Sequence, residues 1–394
     1  MHIAVNGWFW DAPTTGSGQY TRRLVEAVAS LEPSVVLTVL IPFTPTADRA
    51  PPGDSALSGD NASVSVSPQV KLHPHPVRRT KAGKVWWEQV TVPRLARQVA
   101  ADLLHVPYWA SPAQSRVPTV VTIHDLIPRL LPAYRGSTSV RLYTAMVSAT
   151  AQRARLAITD SAASRRDIID QLHLPPEGVR AIPLAVDETL SPTPKADDQA
   201  IRNRLGCPDD YVVYLGGFDV RKDLRSVMGA FAYVHAWQDE IGLVVAGRLP
   251  TTDTAFAPDP RRLAREAGLP EGAVTFLGFV DEEDKPALLR GAQALVFPSI
   301  YEGFGYPPLE AITCGTPVVG CNSSSIPEVV GDAGLLVAPG DVEGMAGALI
   351  QLLGDDGFHE RLSGNAMTQA RRFSWQATAK GTLDTYSECL SNAK

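Results

Sequence analysis

Glu302 and Glu310 flank a loop containing Gly303, Phe304 and Gly305, and the residue types that can do chemistry concentrate around it. The apolar run Ala294-Leu295-Val296-Phe297 ahead of the loop reads as a buried strand. Pro307 and Pro308 after it start a helix, where a missing N–H costs little. Strand, glycine loop and helix start in succession form an anion site, because free N–H groups and the positive end of the helix dipole face one point. Gly303 and Gly305 let a ligand approach the backbone. A second cycle of this kind follows the strand Tyr211–Leu215, with Gly216-Gly217 and then Arg221-Lys222 near a helix start. Cations oppose a helix N-terminus and ask for a compensating anion; a diphosphate supplies it, and Arg can hold phosphate oxygens in bidentate fashion. Carboxylates repel phosphate, so Glu302 and Glu310 are better suited to accept hydrogen bonds from hydroxyls. A nucleoside diphosphate sugar has hydroxyls at both ends, on the sugar and on the ribose.

The elements that must position these groups alternate between strand and helix on both sides of residues 187–200, which carry Ser191-Pro192-Thr193-Pro194 and read as a linker. The runs Asp102–Tyr108 and Pro118–Asp125 are apolar through their length, as parallel strands covered on both faces are. The second of them carries His124 and Asp125 to its C-terminal end, where ligands of doubly wound sheets sit. A lone His there is also often a hydrogen-bonded structural residue. Thr15-Gly16-Ser17-Gly18 joins the first strand to a helix over Tyr20–Ser30, and a plain surface turn remains open for it. Arg141–Arg155 reads as helical, and Asp160 or Ser161 caps the helix Ala162–Leu172. Asp281-Glu282-Glu283-Asp284 reads as a cap with acids in the first turn of a helix, so no metal site is assigned.

The Glu-x7-Glu pair around Gly-Phe-Gly, followed by Pro-Leu-Glu-Ala, resembles the signature of the retaining glycosyltransferases of family 4, which have the GT-B fold. The resemblance covers nearly the whole chain and is strongest over 211–340. It implies an α/β protein with two doubly wound Rossmann-like domains facing a cleft. In that family Glu302 contacts the donor sugar, Glu310 binds the ribose diol, and the loop Gly303, Phe304, Gly305 with Leu309 contacts sugar and diphosphate. Arg221 and Lys222 resemble the diphosphate clamp, and His124 faces the donor sugar near its 6-hydroxyl. Gly16 and Gly18 fall where donor phosphate and acceptor meet, with Thr15, Ser17 and Asp125 on the acceptor side. Gly217 falls on the donor-binding loop, and there the chain departs from the pattern: many members carry an Arg, so one phosphate contact is missing or comes from another residue. The resemblance implies no cofactor beyond the nucleotide-sugar substrate and no metal in catalysis.

At 394 residues the chain predicts two or three domains, and its 44% hydrophobic and 20% charged content is ordinary for a globular protein. The expected division is 1–186, with a flexible loop at about 43–68; a linker at 187–200; a nucleotide-sugar domain at 201–375; and a helix at 376–394 packing back on the first domain. A net charge of −6 gives no global support to a nucleic-acid partner. The four cysteines form no Cys-x-x-Cys. No apolar run approaches the ~20 residues of a membrane span, and the chain opens on a strand instead of a leader, so a cytoplasmic location is expected and the sequon at Asn61 reads as accidental. The basic run 78–84 beside Trp86-Trp87 suits an anionic acceptor or a membrane surface. The reading favoured for it is a solvated loop leading into a helix that buries one Trp.

These features lead to a retaining transferase moving a hexose from a nucleoside diphosphate sugar to a hydroxyl acceptor, with mannose from GDP-mannose leading and UDP-glucose or UDP-N-acetylglucosamine next. A nucleotide-sugar epimerase and a nucleotide-binding subunit without catalysis are the rivals. Oligomeric state is not readable from the sequence.

Overall fold

The computed structural model describes residues 1–13, 15–44 and 67–391. The stretch 43–68 expected as a flexible loop, with its sequon, lies almost wholly outside the described residues. The chain forms two compact units, one from Met1–Leu184 with Trp375–Lys394 and one from Ala185–Ser374. Asp198, inside the stretch expected as a linker, already begins the helix Asp198–Leu205.

The first unit is built on a seven-stranded sheet: β1 (His2–Asn6), β2 (Val36–Phe43), β3 (Val70–Pro76), β4 (Leu103–Val106), β5 (Thr119–Thr122), β6 (Leu156–Thr159) and β7 (Val179–Ala181). Its order is β3-β2-β1-β4-β5-β6-β7, with every pairing parallel. β4, β5 and β6 are buried at every position, as sheets covered by helices on both faces require. β3 is not foreseen in the sequence. Pro74 and Pro76 argue against a strand, but β3 lies at the sheet edge, where a missing N–H breaks no ladder. The helix Gly16–Leu31 buries Tyr20, Leu24, Val25 and Val28, and the helix Trp375–Ser391 packs on it with Tyr386 and Cys389 inside.

The second unit is built on β8 (Tyr211–Leu215), β9 (Gly242–Ala246), β10 (Val274–Gly278), β11 (Ala294–Phe297), β12 (Val318–Cys321) and β13 (Gly334–Val337). The order is β10-β9-β8-β11-β12-β13, again all parallel. Strand order reverses direction between β8 and β11, and ligands of open parallel sheets bind beyond the strand ends at such a point. Both strands deliver loops there: Gly216–Lys222 from β8 and Pro298–Gly305 from β11.

Helix boundaries differ from expectation in two places that matter. The helix expected to begin at Asp281 begins at Lys285, because residues 282–284 form a turn. The helix expected over 141–155 runs Thr138–Ala151, and Ser137 precedes it in extended conformation.

Candidate active site

At the β8/β11 ends, Arg221 and Lys222 are set on a 3-10 turn, Val220–Lys222, that leads through Asp223 into the helix Leu224–Trp237. The backbone ties the two loops together, with Ile300 N donating to the Arg221 carbonyl at 2.8 Å. Three side chains then converge on Glu302 Oε1: Arg221 Nη1 at 2.5 Å, Lys222 Nζ at 2.6 Å and Ser299 Oγ at 2.5 Å. The compensating anion that the two cations require is therefore supplied within the protein, by Glu302. Burial works to raise the Glu302 pKa, but Lys222 and Arg221 outweigh it and hold the carboxyl below its ordinary value. Lys222 Nζ also lies 4.8 Å from the Phe297 ring, so its charge is fixed from two sides.

The glycine loop is more tightly built than its sequence suggests. Gly305 has φ +112°, and a Cβ there would meet Ile326 Cδ1 at 3.0 Å, so both conformation and space require glycine. Ser325 Oγ donates to the carbonyls of Phe304 at 2.6 Å and Glu302 at 3.0 Å, and Glu302 N donates to Ser324 Oγ at 2.8 Å. Phe304 is buried against Tyr306 and Phe373, and Leu309 is fully buried. The helix Tyr306–Thr313 begins with fewer donors than expected. Pro307 and Pro308 have no N–H, and Leu309 N is used on the Gly305 carbonyl at 3.2 Å. The side chains of Phe304 and Leu309 thus serve packing, and the positive charge at this point comes chiefly from Arg221 and Lys222.

Glu310, one turn into that helix, is nearly buried, with 13% of its side chain exposed. Its Oε1 lies 3.5 Å from Lys285 Nζ, which is held by Glu282 at 2.7 and 2.8 Å. Burial pushes the Glu310 carboxyl up; Lys285 opposes this, Glu282 adds to it, and the net shift is upward.

Gly217 leaves a compact turn: its carbonyl accepts the Tyr214 hydroxyl. Arg248 lies over the ring of Phe279 at 5.5 Å. Two of the acids 281–284 pair with cations, Asp284 with Arg204 at 2.7 Å and Glu282 with Lys285.

In the first unit, β5 ends at Thr122, so His124 stands just beyond the strand. Its Nδ1 meets Asp160 Oδ2, just beyond the neighbouring β6, at 2.8 Å, and its ring sits edge-on to Tyr20 at 4.8 Å. Burial alone lowers an imidazole pKa, but the charge and hydrogen bond of Asp160, with Asp125 and the Pro107 carbonyl, leave that of His124 raised. Asp160 is a site neighbour that sequence reading offered only as a helix cap. The cap is Ser161, which accepts from Ser164 N at 3.0 Å and leaves Asp160 to His124. The adjacency of β5 and β6 was the signal that could have paired them. Asp125 accepts from Ile127 N at 2.9 Å, in the turn that leads into the short helix Ile127–Leu130.

Thr15, Gly16, Ser17 and Gly18, expected as a loop, form the start of a helix. Thr15 Oγ1 accepts from Gly18 N at 3.2 Å, and Ser17 O accepts from Thr21 Oγ1 at 2.7 Å. A Cβ on Gly18 would lie 2.1 Å from the Ala12 carbonyl oxygen, whereas one on Gly16 would meet nothing within 4 Å. Gly18 is therefore demanded by backbone packing, and Gly16 is open. The basic run leads into the helix Lys81–Trp86, capped by Thr80. Arg79 pairs with Asp11 at 2.9 Å, and Lys84 lies within 5.4 Å of the rings of Phe9, Tyr108 and Tyr143 and 3.3 Å from buried Glu88. Trp87 is buried and Trp86 is 60% exposed. Among the described residues no helix is long and apolar enough to cross a membrane.

Comparison with known proteins identifies the family and the fold. Residues 14–190 match the family model for glycosyltransferase family 4, and residues 209–355 match that for glycosyl transferases group 1. The O-antigen chain mannosyltransferase B of Escherichia coli is 32% identical over 269 residues, 68% of this chain and 69% of that one. The serotype-specific mannosyltransferase WbdA of Escherichia coli is 26% identical across 100% of this chain, which spans only 49% of WbdA's length. Anabaena Alr3699/HepE, solved in complex with UDP-glucose, superposes with a TM-score of 0.73 at 20% identity, over 98% of this chain and 100% of that one. The fold, two Rossmann-like units, is GT-B, and the chain belongs to glycosyltransferase family 4.

Proposed function

We propose that the chain transfers a hexose, with mannose from GDP-mannose as the leading donor, to a hydroxyl of a glycan or glycolipid, with retention at the anomeric carbon. The observation that carries this reading is the convergence of Arg221, Lys222 and Ser299 on Glu302 at the β8/β11 switch point. Those cations suit a diphosphate, whose leaving-group charge grows as the bond to the sugar breaks. The diphosphate would share Arg221 and Lys222 with Glu302, and Glu302 would then accept from sugar hydroxyls. Glu310 is assigned to the ribose diol and His124 to the donor sugar.

In the proposed reaction the bond from the anomeric carbon to the phosphate oxygen breaks, and its electron pair leaves on the diphosphate. The acceptor oxygen bonds to the same face of that carbon and gives its proton to the departing phosphate. Inversion would need a general base opposite the leaving group, and double displacement a carboxylate nucleophile. Glu302 is committed to two cations and a serine, which supports the phosphate as base. The mannose assignment is supported by the relatives that are mannosyltransferases. UDP-glucose is the second reading, because HepE is described with that donor. Incubation with GDP-mannose, UDP-glucose or UDP-N-acetylglucosamine and methyl α-mannoside, followed by proton NMR of the anomeric signal, tests both parts. An α-linked mannoside is expected. A β-anomer overturns the mechanism, exclusive use of a UDP-sugar overturns the donor, and epimerised nucleotide sugar without acceptor overturns the class.

A further inference from the structure

Lys285 occupies the first position of the helix Lys285–Gly291, where a cation opposes the helix dipole. It is also largely withdrawn from solvent, with 16% of its side chain exposed. Two unfavourable placements in one residue call for a compensating partner, and the structure gives two. Glu282, itself 63% exposed, grips the ammonium at 2.7 Å, and Glu310 lies 3.5 Å from it. Glu282 alone would satisfy Lys285 in solvent; what draws the lysine inward is the buried Glu310. Among the described residues, the charged or titratable groups acting on Glu310 are Lys285, Glu282 and the Cys314 thiol at the end of its own helix. Lys285 is the cation among them. A carboxylate that must accept two hydroxyl hydrogen bonds does so best when ionised and fixed in direction.

We propose that Lys285 is a positioning residue for the nucleotide: gripped by Glu282, it holds the buried Glu310 carboxylate charged and aimed for the ribose hydroxyls. The inference rests on the assignment of Glu310 to the ribose made above. It differs from a structural role for Lys285 in what it says about pH. Removing the cation raises the pKa of Glu310 further, so the carboxyl takes up a proton at higher pH and nucleotide affinity falls as pH falls.

The test is calorimetric titration of the full chain with GDP, and with UDP as second probe, at about pH 6 and pH 8.5. The variants are Lys285→Met, Lys285→Arg and Glu310→Gln, with circular dichroism to confirm folding and Lys285→Gln in reserve if the methionine variant does not fold. A shift of one pKa unit corresponds to about a tenfold change in affinity, and about tenfold weakening is expected for Lys285→Met at the lower pH, most of it regained at the higher. Lys285→Arg should bind nearly as wild type at both. Wild-type binding by Lys285→Met at both pH values, with Glu310→Gln weakened, overturns the role of Lys285 alone. Equal weakening of Lys285→Met at both pH values assigns the lysine to direct nucleotide contact and overturns it too. Undiminished binding by Glu310→Gln removes the ribose assignment, and this inference with it.

Discussion

The two sheets end in different chemistries. Beyond the strands of the second unit, charge is dense and already paired, with Arg221 and Lys222 on Glu302 and Lys285 between Glu282 and Glu310. Beyond the strands of the first unit lie rings: Phe9 edge-on to Tyr108 at 4.9 Å, Trp8 beside Trp87, Tyr20 edge-on to His124. Two charged pairs stand among them: His124 with Asp160, whose carboxylate raises the imidazole pKa, and Lys84 with Glu88, the ammonium lying over the rings of Phe9 and Tyr108. Asn6, buried, donates to Tyr108 and accepts from Trp87, both at 2.8 Å, and so holds two of the rings in place. A permanently charged end suits a ligand part whose charge is fixed, such as a diphosphate. A ring-lined end, where charge is sparser, suits neutral, hydroxyl-rich groups.

The comparison breaks most visibly at Glu302. Glu302→Ala leaves two nearly buried cations without their carboxylate, which costs about 3–5 kcal/mol when a buried pair is broken. Chemical denaturation should show that loss together with abolished turnover. Because the Glu302 pKa is depressed by folding, its stabilisation is present above its ordinary value of 4.5 and is lost as pH falls through the folded value. The stability gap between wild type and Glu302→Gln should therefore close in acid, and a gap independent of pH would contradict the pairing. Lys222→Ala should lower turnover by about 100–1000-fold, the scale of losing one electrostatic donor at a developing charge, with a smaller effect on stability. Near-normal turnover would locate the clamp elsewhere. Glu310→Ala should weaken nucleoside diphosphate binding at least about tenfold, since hydrogen bonds to charged groups contribute ~1.5–3 kcal/mol each.

On the ring-lined side the effects should be smaller and of another kind. His124→Ala should change turnover or sugar preference while GDP binding stays within about threefold, well under the 1.4 kcal/mol that a tenfold change represents. The raised His124 pKa means that its pairing with Asp160 is fully present below the ordinary 6.5 and fades as pH rises through the folded value. The stability difference between wild type and His124→Gln should accordingly narrow from pH 6 to pH 9. The smallest expected effect is that of EDTA. If the phosphate is neutralised by Arg221 and Lys222, turnover persists in chelator, and its abolition would show that cationic side chains are insufficient.

Much of this arrangement was legible because it is written in short local patterns. Uniformly apolar runs gave strands in both sheets, and glycine near charged residues marked the loops at β8 and β11. What was not legible depends on neighbours far apart in sequence. That Glu302 neutralises Arg221 and Lys222 follows from β8 lying beside β11, and no local rule joins those positions. Asp160 belongs with His124 for the same reason, through β5 and β6. β3 was hidden by prolines that only an edge strand tolerates, and being an edge is a property of the finished sheet. The donors at the start of the helix Tyr306–Thr313 were overcounted because Pro307 and Pro308, which mark the helix, also remove its N–H groups.

The helix Trp375–Ser391 gives the molecule an order of assembly. The second unit is one continuous segment, whereas the first is split, its closing helix following the second unit in the chain. Tyr386 lies in the first unit's interior with its hydroxyl 2.7 Å from His105 Nδ1, and His105 Nε2 is 2.9 Å from Thr122 Oγ1, at the end of the strand that leads to His124. During synthesis, when domains fold as units in the order they emerge, the first-made half cannot complete its core until the half made after it is finished. A chain interrupted anywhere in the second unit would thus leave the first unit unsealed beside His105, with the surroundings of His124 unfinished.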